Sequence, residues 1–390
     1  MGTGKHRNKT KHLLVVMKIL SVVLWPPKQD AAWVRILRIT EILERDHTVH
    51  FICYRRNAAK NYPIKVIPDF GIHIDYIDSS PLTVHVKHLR RLLKEDYDVV
   101  LANVSSATAF CCLLGKITDT PLIFDMHGSV ADESLLYHSS FSSQVLLNRF
   151  TELLDLKYSD KVFCVSHAMM NYLIAHKGIP SHKLVYVPNG AEGRLFDPVD
   201  KEKIDVLRRR FELNGKFVFG YIGEFQRWQG AENLIEAART ISDIDVKFLI
   251  VGGDERREER NISFVPRIPP SEVSYYYALC NVLVLPRPYS KATEFAAPTK
   301  FAEYAAAGKP ILTTNVGDAA RLVDKYNCGV VVKDSSIGSL TRGITYLKNE
   351  SKEELKRLGE NSKEMAVKEL NWDVIAGQIL QALESLSPSR

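Results

Sequence analysis

The feature that most constrains this chain is its alternation of short apolar runs with helical patterns, repeated in two successive series. In the first half the runs fall at 18–25, 48–54, 72–77, 98–103, 121–125, 161–166 and 183–188. Helical patterns lie between them, for example at 33–45, 82–95, 105–116 and 142–157. A second series has strands at 216–223, 246–253, 262–265, 281–286, 309–314 and 329–332. Its helices fall at 229–240, 270–279, 298–307, 317–325 and 336–348. Apolar runs too short for helices, each followed by an amphipathic stretch, make a parallel sheet covered on both faces. The expected fold is α/β, with two Rossmann-like doubly wound domains facing across a cleft. The charged stretch 199–214 divides the series. The expected organisation is a basic tail (1–16), a first domain (17–198), a second domain (199–370) and a final helix (371–390) that can cross back to the first domain.

The net charge of +6 does not indicate nucleic-acid binding. Lys5, Arg7, Lys9 and Lys11 of the tail account for all but +2 of it, and a phosphate-tracking surface needs clustered cations in the folded body. Residues 13–25, LLVVMKILSVVLW, have two readings, signal-peptide core or first buried strand. Lys18 interrupts the apolar run and no small-residue cleavage site precedes Pro26-Pro27, so the strand is expected, with Met1 and Met17 both open as the start. The run is too short to span a bilayer, which takes about 20 apolar residues. Six scattered cysteines without a C-x-x-C pair read as buried thiols in a reducing, cytoplasmic compartment.

The segment richest in chemistry is EFAAPTKFAEYAAAGKP (294–310). Pro298 suits a helix start, and Gly308 with Pro310 suits its end. Thr299 and Lys300 then occupy the helix N-terminus, where free N–H groups and the dipole favour an anion. Glu303 falls on roughly the same face, about 4.5 Å further along the axis than Lys300. That spacing suits a diphosphate at the helix end and a carboxylate on ribose hydroxyls. A solvated Lys300–Glu303 pair is the plain alternative, but the helix is otherwise apolar, where an idle charge is costly.

Taken with GEFQRWQGAENLIEAA (223–238), LIVGGD (249–254), VLVLP (282–286) and VPNG (187–190), the segment PTKFAEYAAAGKPIL (298–312) resembles the family 4 glycosyltransferases of the GT-B fold. The resemblance runs from Met17 to the C-terminus and is strongest over 216–316. It implies a retaining transfer from a nucleotide-sugar donor to a carbohydrate or lipid-linked hydroxyl acceptor, with no metal and no other cofactor. Donor binding falls to the second domain and acceptor binding to the first. Lys300 would hold the diphosphate, Glu303 the ribose, and Gly223 would let the backbone approach the phosphates. His127 in DMHG (125–128) matches the family histidine that faces the donor sugar, a catalytic position.

Three positions depart from the family pattern. Its first glutamate falls on Phe295, leaving Glu294, one residue off, as the candidate catalytic and donor-binding carboxylate. The basic residue after Gly223 is Glu224, and the later lysine is Gln229, so Arg227 is the candidate replacement cation. The loop after the first strand, PPKQDAAWVR (26–35), has no glycine, and Gln29, Asp30 and Trp33 are the acceptor-side candidates.

Weaker features complete the reading. Asp243 and Asp245 form a D-x-D that falls in a turn and is expected to be solvated. Tyr275, Tyr276 and Tyr277 are expected to pack rather than to form a stacking platform. The basic stretch KHLRRLLK (87–94), with the tail, is a candidate for peripheral contact with an anionic membrane. Two other functions stay open: an epimerase acting on the nucleotide sugar, and an exported, non-catalytic sugar-binding protein. The absence of G-x-G-x-x-G after the first strand argues against a dinucleotide dehydrogenase.

Overall fold

The computed structural model describes residues 16–24, 31–56, 72–79, 83–103, 115–135, 137–197 and 200–386. Two seven-stranded sheets account for both apolar series. The first runs β3 (Ile74–Ser79), β2 (Thr48–Arg56), β1 (Lys18–Leu24), β4 (Val99–Asn103), β5 (Leu122–Met126), β6 (Lys161–Cys164) and β7 (Leu184–Tyr186), with every pair parallel. Residues 18–24, readable as a leader core, form β1 in the middle of this sheet. Ile19, Leu20, Val22 and Val23 are fully buried there, as a strand covered on both faces requires.

The second sheet runs β10 (Arg257–Glu258), β11 (Ile262–Pro266), β9 (Val246–Gly253), β8 (Phe217–Ile222), β12 (Val282–Leu285), β13 (Ile311–Thr314) and β14 (Gly329–Val332). Only β10 is antiparallel. Sequence patterning misses it, because two exposed, charged residues carry no periodicity. Apart from the edge strands β7 and β10 the two sheets share one topology, with strand order reversing between β1 and β4 and again between β8 and β12. A doubly wound sheet binds ligands at the carboxyl ends of the strands flanking such a reversal.

Several contacts fix the two sheets' relative placement. Phe295, at the end of helix Lys291–Phe295, is buried among Phe124, Met126, Val162 and Cys164 of the first sheet. Its carbonyl accepts from Ser166 Oγ at 2.7 Å. Asp318, at the start of helix Gly317–Tyr326, accepts from the backbone N–H groups of His167 (2.8 Å) and Ala168 (3.3 Å), capping helix His167–Lys177. The C-terminal run splits into helices Lys352–Glu369 and Trp372–Glu384. The last one returns to the first sheet, packing Trp372, Ile375 and Ile379 on Ile19, Leu101 and Ile123. Gly190 allows that crossing, since a Cβ there would lie 2.8 Å from the Trp372 ring. Four cysteines, Cys53, Cys164, Cys280 and Cys328, are described, all buried. Among the described residues no helix is long and apolar enough to cross a membrane.

Candidate functional site

The site forms where the second sheet reverses. β8 ends at Ile222 and turns through Gly223, whose φ of +152° favours glycine. A Cβ at Gly223 would sit 2.3 Å from Lys300 Nζ, so the bare backbone makes room for the lysine. Tyr304 braces the turn: its hydroxyl accepts from Ile222 N–H at 3.0 Å and donates to Ile222 C=O at 3.2 Å. Helix Thr299–Ala306 starts beside it with Pro298 as N-cap and no side-chain cap, leaving N–H groups at its positive end unsatisfied.

Lys300 is 8% exposed and donates to the Tyr221 hydroxyl at 3.0 Å, with its ammonium 4.4 Å from that ring's centre. The Tyr221 hydroxyl in turn donates to Glu224 C=O at 2.6 Å. Burial pulls Lys300 down to about 7, and the charge of Arg287 adds to the shift. Arg287, two residues beyond β12, is 6% exposed, and its Nε has no hydrogen-bond partner. Burial lowers it to about 10. No carboxylate lies within ion-pairing distance of either cation among the described residues. Two desolvated, unpaired cations at the mouth of a sheet are costly without an anion.

Lys300 and Glu303 do not pair directly; each takes its own tyrosine. Tyr277 donates to Glu303 Oε2 at 2.6 Å. Burial raises the Glu303 carboxyl, against the opposing pull of Tyr277 and Lys300. Tyr277, expected to pack, also holds this carboxylate; nothing local in the sequence reveals a partner 26 positions away. Arg287 was missed for a similar reason: a lone arginine after an apolar strand has no pattern, and its burial is purely tertiary.

Arg227 lies exposed on the short turn Arg227–Gln229, so the buried cation beside Lys300 is Arg287 instead. Glu224 is exposed and pairs with Arg267 at 3.3 Å. Glu294 turns its carboxylate onto Gly317 N–H at 2.9 Å, capping helix Gly317–Tyr326. Trp33 is corrected: it lies 4% exposed in helix Ala31–Glu44, 5.8 Å from Phe51, where its ring is closed to an acceptor. Gln29 and Asp30 fall outside the described residues, as does most of the helix expected at 105–116. The D-x-D is a turn, with Asp243 paired to Lys348 (3.4 Å) and Asp245 to Lys216 (3.2 Å).

Across the cleft, β5 delivers Asp125 and His127. His127 Nε2 lies 2.6 Å from Asp125 Oδ2, and the other ring nitrogen is buried without a partner. Asp125 is fully buried against Arg35 at 2.7 Å. Burial opposes its ionisation, but Arg35 and His127 together hold the carboxyl well below the usual range. Arg35 also donates to Asn189 Oδ1 at 3.2 Å, and Asn189 Nδ2 donates to Ala297 C=O at 2.6 Å. One chain of polar contacts therefore runs from His127 to the residue preceding Pro298 and the Lys300 helix.

Comparison with known proteins decides the family. The profile described as "Glycosyl transferases group 1" matches residues 203–365, and "Glycosyltransferase Family 4" matches residues 34–192. The chain belongs to the family 4 glycosyltransferases. Its similarity to the putative colanic acid biosynthesis glycosyl transferase WcaI of Escherichia coli is 29% identity, over 47% of this chain and 48% of that one. With the putative teichuronic acid biosynthesis glycosyltransferase TuaH of Bacillus subtilis, identity is 25% over 70% of this chain and 71% of that one. The chain thus matches about half the length of the first relative and about seven-tenths of the second. A Rickettsia africae glycosyltransferase superposes with a TM-score of 0.77 at 16% identity, covering 96% of this chain and all of that one. Anabaena HepE, crystallised with UDP, gives 0.74 at 19%, covering 95% of this chain and all of its own. These structural likenesses establish the GT-B fold.

Proposed function

We propose that this glycosyltransferase moves a sugar from a nucleoside-diphosphate donor to a hydroxyl of a glycan, glycolipid or lipid-linked sugar, with retention at the anomeric carbon. The observation that carries the reading is the buried, unpaired Lys300–Arg287 pair beside Gly223 and an uncapped helix N-terminus. Two cations and free N–H groups there suit a diphosphate, and they suit best the charge it gains on leaving. Glu303, fixed at one oxygen by Tyr277, keeps the other for ribose hydroxyls. His127 would meet the sugar from the opposite wall. As the bond from the anomeric carbon to the diphosphate oxygen breaks, the acceptor oxygen bonds that carbon on the same face. The acceptor's proton passes to the departing diphosphate oxygen, so no protein carboxylate serves as nucleophile and no metal is required.

An anionic membrane is part of the same reading. It is supported by helix Val84–Lys94, which exposes Lys87, Arg90 and Lys94. A cytoplasmic setting fits the buried thiols of Cys164, Cys280 and Cys328. HepE was crystallised with UDP-glucose, and a mycobacterial relative is described as GDP-mannose-dependent, so the donor test covers several bases. Calorimetry with UDP, GDP and ADP should give binding to at least one, lost in Lys300→Ala. Undiminished affinity in that variant would remove the diphosphate site, and an NMR-read product of inverted anomeric configuration would remove retention.

A further inference from the structure

Helix Ser143–Tyr158 is amphipathic in the wrong sense. Its inward residues are Val145, Asn148, Thr151, Glu152, Asp155 and Leu156, four of the six polar or acidic. At about 100° per residue, Leu146, Phe150, Leu153 and Lys157 form a stripe directly opposite that buried arc. The three apolar residues are 51%, 54% and 48% exposed. Leu147 flanks the stripe, and Phe141, 87% exposed, stands just before the helix. Of 19 large hydrophobic residues exposed among the described ones, seven fall between 135 and 153. Scattered exposed hydrophobics need no explanation, but a cluster on one helix does.

The inward polar face is firmly held. Glu152 accepts from Ser129 Oγ at 3.0 Å, and Asn148 donates to Ser134 Oγ at 2.6 Å. Both partners belong to the turn and short helix Val130–Ser134 that follow His127. The same stretch reaches the donor side through Tyr137, whose ring lies 6.2 Å from that of Trp228. The apolar stripe is thus rigidly tied to the rim of the cleft.

Charge selects the occupant. The acids of this helix, Glu152 and Asp155, are buried, while Arg149 and Lys157 are exposed. A second copy docking stripe to stripe would bring these cations together with no outward acid from the helix to meet them. An anionic lipid surface matches both the apolar side chains and the flanking charges.

We infer that helix Ser143–Tyr158 seats this protein on anionic membrane, apolar stripe down, holding the cleft beside the lipid surface that carries the acceptor. This rests on the proposed function for the acceptor's identity, but the docking face is testable alone. The test is co-sedimentation with vesicles of phosphatidylcholine, alone or with phosphatidylglycerol. The variant is Leu146→Gln/Phe150→Gln/Leu153→Gln, whose exposed positions leave the core intact. Wild type should sediment with the anionic vesicles only, and the variant should partition on the order of a hundredfold less. Its melting temperature and nucleotide affinity should stay unchanged, separating failure of the docking face from failure of the donor site. Equal sedimentation of wild type and variant, or equal binding to neutral vesicles, would overturn the inference. So would a wild-type dimer in analytical ultracentrifugation that the variant converts to monomer.

Discussion

On the proposed donor site, Lys300 should make nucleotide binding a proton-uptake reaction. In the unliganded protein, burial and Arg287 hold its ammonium at about 7, so at pH 8 only about one-tenth of the molecules carry the charge. A bound diphosphate favours the charged form and should return the group toward its ordinary range, near 10.4. Binding at pH 8 should therefore take up ~0.9 proton, falling to ~0.1 at pH 6. The apparent affinity should weaken by about tenfold per pH unit above 7.5, roughly a hundredfold between pH 7.5 and 9.5. A nucleoside diphosphate's own second ionisation lies near 6 and is complete across that window. The unliganded protein should show the converse. Between pH 7 and 10 the unfolded chain holds a proton that the native state lacks, so stability rises with pH, by at most about 1.4 kcal/mol per unit. Calorimetry at pH 8.5 in buffers of different ionisation enthalpy measures the uptake directly, and Lys300→Met should abolish it. A binding heat independent of buffer, with affinity flat from pH 7.5 to 9.5, would refute the reasoning.

Arg287→Met should weaken nucleotide binding by about 1–3 kcal/mol, read by calorimetry, while leaving the unliganded melting temperature equal or higher, because an unpaired buried charge is removed. A lower melting temperature with unchanged affinity would make Arg287 purely structural. Asn189→Ala removes the bridge between Arg35 and Ala297 and should cost about 1–3 kcal/mol in urea unfolding. It should also lower kcat by roughly tenfold with nucleotide affinity held, and equal losses in both would place Asn189 in donor binding instead. Phe295→Glu restores the family's carboxylate at a buried apolar seat and should destabilise the protein by about 3 kcal/mol or more. A stable, more active variant would show that this position still faces the donor.

Much of the architecture was readable because parallel strands are buried on both faces and so appear as unbroken apolar runs. Each predicted strand overlaps an observed one, and among the described residues only the two-residue β10 has no predicted counterpart. The Pro298, Lys300 and Gly308 signals placed a helix start and stop within a residue of those observed. Neighbours across the cleft were not readable in the same way. Trp33 looked available beside a loop, yet its helix turns it into the core. Glu294 stood closest in sequence to the family's missing glutamate, yet a helix N-terminus at Gly317 takes its carboxylate.

By itself, then, the sequence determined two doubly wound sheets, the helix that carries Lys300 and Glu303, and the family, since periodicity, caps and motifs are local properties. Only the tertiary structure decided that Arg287 is the second cation and that Tyr221 and Tyr277 separate Lys300 from Glu303. The same holds for the link from His127 to Ala297, which passes through Arg35 and Asn189. Apart from the local contact of His127 with Asp125, those facts depend on desolvation and on partners 26 to 154 residues apart, which no spacing along the chain encodes.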